Sequence, residues 1–165
     1  MTPRQVLLGQ LSACHDKNTW FVSMHGALAG LDAAGAAWKP GTGGNSIWQI
    51  LNHVHFWTDR YLRRFREQPL AEVGDNASTF AEPAVPAGEA EWKEARARFD
   101  LVMNEWTRTI QEAADAKLES PARKESPEAW YTVIANMALH AAHHVGQIVT
   151  LRKLQGSWDP SQGVS

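Results

Sequence analysis

The chain has one cysteine, Cys14, which excludes an intrachain disulfide and a thiolate-rich metal cluster. It has no apolar run near the roughly 20 residues that span a bilayer. Basic residues are not in excess, since 16 Lys and Arg face 18 Asp and Glu and the net charge is −2. A duplex-binding surface requires such an excess. The apolar patch near the N-terminus is too short for a signal peptide. We therefore expect a cytoplasmic protein with no nucleic-acid or membrane partner.

What the chain does contain is the composition of an ordinary globular protein. It has 165 residues, of which 44% are hydrophobic and 21% charged. That length suits one domain with a real core. We expect the domain to occupy residues 1–156 and a flexible tail to occupy residues 157–165. Eight tryptophans and seven histidines stand out from this background.

Apolar residues recur at three-to-four spacing in four long segments, which is the period of amphipathic helices. Thr2 and Ser46 are suitable N-caps, and Ser126-Pro127 has the same cap-and-proline pattern. The first helix is expected to kink or break within His15–Asn18. No segment alternates between apolar and polar residues, so no strand is predicted. The predicted helices cover residues 3–31, 46–68, 92–110 and 126–156, separated by loops at 39–45, 69–88 and between the last two. Four such helices can bury their apolar faces only against each other, so we predict an all-α four-helix bundle.

Three histidines are candidates for a metal site. His140 and His144 lie four residues apart on the fourth helix, so they point the same way and could bind one divalent ion. His53 lies near the inward face of the second helix. A histidine on an apolar face is more often a hydrogen-bonded core residue, and both interpretations remain open from the spacing alone. His55 and His143 are expected at the surface or in support of the site.

Polar neighbours of these histidines are candidates for orienting them. Gln147 follows His144 by about one turn, and Gln49 precedes His53 by one turn. Asn52 is a third candidate. Such residues are more often ordinary polar side chains on a helix surface, and no general base stands out among the acids.

Three stretches carry a family resemblance. The pattern H-x-x-x-H-x-G-Q-I at residues 140–148 and the segment of residues 46–57 resemble the DinB/YfiT-like superfamily. The segment Asn76–Phe80 also resembles the connection before the third helix in these proteins. In that family a histidine of the second helix joins the two histidines of this pattern at a metal. The matching positions are His53, His140 and His144. The resemblance also implies a bundle with a left-handed crossover, an open divalent site at one end and, in many members, a homodimer.

The resemblance further implies a function. Some members are thiol-dependent S-transferases that use bacillithiol or mycothiol. We expect a metal-dependent S-transferase or hydrolase acting on a small molecule, in which the reactive group is a metal-bound water or thiol. The ion would be zinc, nickel, iron or manganese, and the cofactor a low-molecular-weight thiol. The alternative is a non-catalytic metal-binding bundle with a structural, stress-related or sensing role.

Two other metal or nucleophile sites are disfavoured. A ferritin-like di-iron centre needs a Glu-x-x-His motif, and no Glu in this chain has a His three positions later. Cys14, next to His15, suggests a nucleophile, but a buried helical cysteine without a base is usually inert.

Overall fold

The computed structural model describes residues 1–41, 43–83 and 88–162. In this part of the chain the helices are α1 (Pro3–His15), α2 (Met24–Leu28), α3 (Ala33–Ala37), α4 (Ile47–Phe65), α5 (Glu89–Glu112), α6 (Asp115–Glu119) and α7 (Trp130–Gln155). The long helices α1, α4, α5 and α7 enclose the core. α4 packs against α5 and α7, and α1 packs against the same two helices. The prediction of a helical protein is confirmed at the level of fold class.

The predicted caps of the first two long helices are present. The Thr2 hydroxyl accepts from the Gln5 backbone, while the Gln5 side chain accepts from the Thr2 backbone. Ser46 and Gln49 repeat this capping box at the start of α4. Such reciprocal caps satisfy amides that the helix leaves unpaired, so they fix where each helix begins.

The first helix is shorter than predicted. It ends at His15, and the residues up to Leu31 form a turn and the short helix α2 instead of continuing it. The Asn18 side chain explains the break, because its Oδ1 accepts from both the backbone and the hydroxyl of Ser23. Trp20 shares a four-residue spacing with Met24 and Leu28, yet it is 94% exposed while both of those residues are buried.

The prediction that the chain has no strand is wrong. β1 (Pro121–Arg123) and β2 (Ser126–Ala129) pair antiparallel. Ser126-Pro127 was predicted to open the fourth helix, yet α7 begins only at Trp130. Proline disfavours the helical region for the residue before it, and pairing with β1 makes the extended conformation stable. The short helix α6 before the hairpin was not predicted either.

The end of α7 lies where it was predicted. Gly156 adopts the left-handed conformation with φ 70°, which glycine reaches without strain. Arg152, in the last turn, is buried and donates to the backbone oxygens of Ala27 and Ala29. It also donates to Ser157 in the predicted tail.

The loop predicted at residues 69–88 contains one turn of 3-10 helix, Ala77–Thr79, within its described part. Residues 84–87 of this loop, and Thr42 of the loop at 39–45, lie outside the described residues. None of the helices in the described ranges is both long and apolar enough to cross a membrane.

Candidate metal centre

The three predicted histidines meet between α4 and α7. The Nε2 atom of His140 lies 3.1 Å from Nε2 of His53 and 3.0 Å from Nε2 of His144. The three ligand atoms all lie within 4.8 Å of one another. His53 and His144 are buried, and His140 is half-buried. The arrangement follows from the four-residue spacing on α7 and from the direct packing of α4 on that helix.

A loop segment covers the histidine from α4. The ring of Phe80 stacks on the ring of His53, with centroids 3.9 Å apart and planes 8° from parallel. Gln49 Nε2 donates to the backbone oxygen of Phe80, and Asn52 Nδ2 donates to that of Ala81. Two side chains of α4 therefore hold the loop against the site.

The hydroxyl of Thr79 sets the protonation of His53. Thr79 Oγ1 lies 2.6 Å from His53 Nδ1 and donates its single proton to the backbone oxygen of Asn76. It must therefore accept from His53, which places the ring proton on Nδ1. A neutral imidazole has only one such proton, so His53 Nε2 presents a lone pair.

Gln147 acts in the same way on His144. Its Oε1 lies 2.7 Å from His144 Nδ1, and an amide oxygen can only accept. The proton of His144 is thereby held on Nδ1, so its Nε2 also presents a lone pair. Metal-binding histidines commonly donate their other ring N–H to such a partner.

Burial keeps the three rings uncharged at neutral pH. Burial, together with the neighbouring His144 and His140, lowers the pKa of His53 to about 4. Burial, with His144 and His143 nearby, also lowers the pKa of His140 to about 4. The pKa of His144 is lowered by burial as well. Neutral imidazole is the form that ligates a metal.

The cluster fits a divalent metal ion. At a tetrahedral ion with metal–nitrogen bonds of about 2.0–2.1 Å, two ligand nitrogens lie roughly 3.3 Å apart. The two closest Nε2 pairs here, at 3.0 and 3.1 Å, are near that separation. The Nε2 lone pairs of His53 and His144 both lie next to Nε2 of His140. A cation between the rings would bind all three nitrogens.

The other predicted residues take varied positions. Gln147 contacts His144, as its spacing suggested, while Gln49 and Asn52 bind loop backbone rather than the ring of His53. His143 is exposed, and its Nε2 lies 3.1 Å from Gln147 Nε2.

His55 lies away from the site on α4. It is half-buried, and its Nδ1 is a buried side-chain atom without a hydrogen-bond partner among the described residues. Burial lowers its pKa.

Thr79 and Phe80 were not predicted as site residues. They lie in a loop, where helical periodicity carries no information about position. The only signal was the segment Asn76–Phe80, which resembles the connection before the third helix in DinB-like proteins.

A cavity of about 340 Å³ reaches the cluster at His140. Its aromatic wall is formed by Trp57 and Tyr61, and the hairpin places Glu128 in its lining. Asn136, also in the lining, donates to Glu128 Oε1 over 3.2 Å. The site thus has an adjoining space, of the size typical for a small molecule, with one carboxylate facing it.

Cys14 is buried, as expected, and outside this cluster. Its Sγ lies 3.1 Å from the backbone oxygen of Ala138, to which the thiol donates. Burial raises the pKa of Cys14 to about 11, so the thiol stays protonated at neutral pH.

Comparison with protein families gives one match. The model of the DinB superfamily matches residues 21–148, which include all three histidines of the cluster. Comparison with curated proteins and with solved structures finds no significant match.

Proposed function

The chain belongs to the DinB superfamily, and from this premise we propose that it is a metal-dependent enzyme acting on a small molecule. His53, His140 and His144 hold one divalent ion, of which zinc, nickel, iron and manganese are the candidates. The four long helices form a bundle of the DinB/YfiT type around this site. We propose a thiol-dependent S-transferase first and a hydrolase second.

The observation that supports a metal is the fixed tautomer of two rings. Thr79 and Gln147 hold the ring protons of His53 and His144 on Nδ1, so both Nε2 atoms present lone pairs toward His140. Without a cation, the Nε2 lone pairs of His53 and His144 would both have to accept the single ring proton of a neutral His140. A cation between the rings satisfies all three nitrogens.

The proposed ion has the properties of a Lewis acid. Three neutral imidazoles leave a bound divalent ion with its full charge, so it lowers the pKa of a water or thiol that joins it and supplies a nucleophile at neutral pH. The protein contributes the orientation of the rings through Thr79, Gln147 and the stacked Phe80. The Glu128 carboxylate, in the lining of the same cavity, is suited to accept the proton that the nucleophile loses.

The cavity favours catalysis over a purely structural role. A structural zinc site is closed by a fourth protein ligand, whereas a catalytic site keeps a position open. Among the described residues this candidate ligand group has three members, and one of them, His140, lines the cavity. A small molecule in this cavity can therefore approach His140.

We extend the proposal to the cellular setting, on the basis of the composition of the chain and of the family resemblance. The enzyme would act in the cytoplasm as a homodimer, with a low-molecular-weight thiol as cosubstrate and a stress-related role. Sedimentation of the purified chain tests the dimer directly, and a single monomeric species would contradict it.

Metal analysis tests the proposal most directly. We expect the purified chain to contain metal bound at this cluster and His140→Ala to lose it, because two imidazoles without a third ligand bind far more weakly. His55→Ala is the matched control, since it removes an imidazole on another side of α4. A metal content in His140→Ala equal to that of the wild-type chain, measured by mass spectrometry after gel filtration, would refute the assignment of the ligands.

An activity screen separates the two proposed reactions. The metal-loaded chain is incubated with a small electrophile and a panel of low-molecular-weight thiols, and product is followed by mass spectrometry. We expect conjugates in which the thiol sulfur replaces the leaving group, with the thiol proton released to the medium or to Glu128. Products that form equally without thiol would favour the hydrolase.

A further inference from the structure

A second group of potential ligands lies outside the site described above. We infer that His15, His25 and Asp100 form a second binding site for a divalent transition-metal ion. His15 ends α1, His25 lies in the first turn of α2, and Asp100 lies within α5. None of these helices contributes a ligand to the first cluster, so the two sites are independent.

Both imidazoles point at one carboxylate oxygen. Asp100 Oδ1 lies 3.1 Å from Nε2 of His15 and 2.6 Å from Nε2 of His25. The three ligand atoms lie within 4.8 Å of one another, and the two rings meet edge to face with centroids 4.8 Å apart. Three groups from three separate helices thus converge on a volume the size of one ion.

The turn that places His25 is closely packed. Ser23 caps α2, and its backbone and hydroxyl are both held by Asn18 Oδ1. At Gly26, an added Cβ would lie 2.5 Å from Cγ2 of Val22 and 3.0 Å from Asn18 Oδ1. The residue next to His25 must therefore be small, which fixes the path of the backbone beside the ligand.

His15 is held equally firmly. Its ring is buried and packs edge to face on Phe99, the residue before Asp100, with centroids 5.9 Å apart. One ligand is therefore immobile and the other two are partly open to solvent, with side chains 47% exposed for His25 and 37% exposed for Asp100. An ion can enter from the solvent side without unfolding the bundle.

The donor set selects the kind of ion. Imidazole suits first-row transition metals such as zinc, nickel, copper and iron, while magnesium and calcium prefer all-oxygen ligands. Two imidazoles and one carboxylate leave coordination positions open. The Asp100 carboxylate also offsets one of the two positive charges of the ion, which favours binding of the ion at a partly exposed position.

A cavity with positive side chains adjoins this cluster. A cavity of about 380 Å³ is lined by His25, Asp100, Lys93 and Arg96. The two cations repel a bare metal ion but attract an anion bound to it. We therefore expect a small carboxylate or phosphate to complete the coordination and to increase the affinity for the metal.

Titration with Co²⁺, whose visible spectrum reports coordination, tests this site apart from the first. The chelator-treated His140→Ala variant has lost a ligand of the first cluster, so we expect it to bind one equivalent. Adding His25→Ala or Asp100→Asn to that background should abolish this equivalent. Glu94→Gln is the matched control, because it removes a charge from the same helix without touching the cluster, and it should keep the equivalent.

Each outcome bears on one site only. Binding of no equivalent by a folded His140→Ala variant, checked by circular dichroism, would overturn the second site and show that Asp100 merely accepts hydrogen bonds from two imidazoles. Binding that persists in both double variants would overturn the ligand assignment. A different result would contradict the first site alone. In that result the wild-type chain binds one equivalent of Co²⁺, and the single variants His25→Ala and Asp100→Asn bind none.

Discussion

The two histidine clusters differ in burial and in charge. The cluster between α4 and α7 consists of three neutral imidazoles, two of them buried, with Thr79 and Gln147 behind them. The cluster of His15, His25 and Asp100 includes a carboxylate and is half open to solvent. The first arrangement leaves a bound ion with its full charge, while the second reduces that charge.

This difference separates two tasks that a metal site can perform. A fully charged ion in a buried site acidifies a bound nucleophile most strongly, which suits catalysis. A partly neutralised ion near the surface is better suited to joining helices. The two proposed sites would therefore differ in chemistry because one of them includes a carboxylate and the other does not.

The largest expected effect after loss of a ligand comes from Thr79→Val. This change removes the acceptor for His53 Nδ1 but keeps the shape of the side chain. We expect metal affinity at the first cluster to fall about 10- to 100-fold, the usual effect of removing such an outer partner. Competition with a chromophoric chelator measures the loss.

Ser78→Ala is the control for that variant, because it removes the neighbouring hydroxyl of the same 3-10 turn. That hydroxyl donates to the backbone oxygen of Asp75 and not to a ring. An equal loss of affinity in both variants would mean that the turn matters only as a structure, and the tautomer argument would fail.

An intermediate effect is expected for Gly26→Ala, which tests the second cluster. The added Cβ would clash with Val22, so the turn before His25 must shift. We expect the free energy of unfolding to fall by about 1–3 kcal/mol, as for overpacking elsewhere. Metal affinity should weaken at the second cluster and stay unchanged at the first.

Gly9→Ala in α1 provides the matching glycine control, since its Cβ would meet nothing within 4 Å. That exposed helical position should gain about 0.5–1 kcal/mol of stability. Chemical denaturation of both variants gives the comparison. If Gly26→Ala proved as stable as the wild-type chain, the turn would not be as tightly packed as described.

The smallest effect is expected for Cys14→Ala. Cys14 precedes His15 in the chain, and its thiol donates to the backbone oxygen of Ala138 on α7. Its thiol is buried and protonated, so neither metal equivalent should change. Stability should fall by roughly 1 kcal/mol for the lost apolar volume. Loss of a metal equivalent would instead identify the sulfur as a ligand.

The parts of the molecule that the sequence predicts are those set by helical repetition. Apolar spacing located the four long helices, and the i, i+4 rule placed His140 and His144 together. These inferences need only the geometry of a single helix. His53 was placed beside them by its inward position and by the family resemblance, because the packing of α4 on α7 is a tertiary property.

The parts that the sequence did not predict depend on loops and on distant pairs. Thr79 reaches His53 from a 3-10 turn whose path is set by Gln49 and Asn52, which no periodicity describes. Asp100 lies 85 residues from His15 in the chain. His15 itself appeared only as part of a polar break in the first helix and as the neighbour of Cys14, not as a metal ligand. Such contacts follow from how helices are arranged and not from any local pattern.

The hydroxyl of Thr79 has an evolutionary consequence. Because its one proton is given to Asn76, it can only accept from the histidine, and a serine would do the same. Drift from threonine to serine at this position should be tolerated among related chains, while exchange for alanine should follow only after the metal has become dispensable. The residue at this loop position can thus indicate which relatives have kept the proposed metal site and which have lost it.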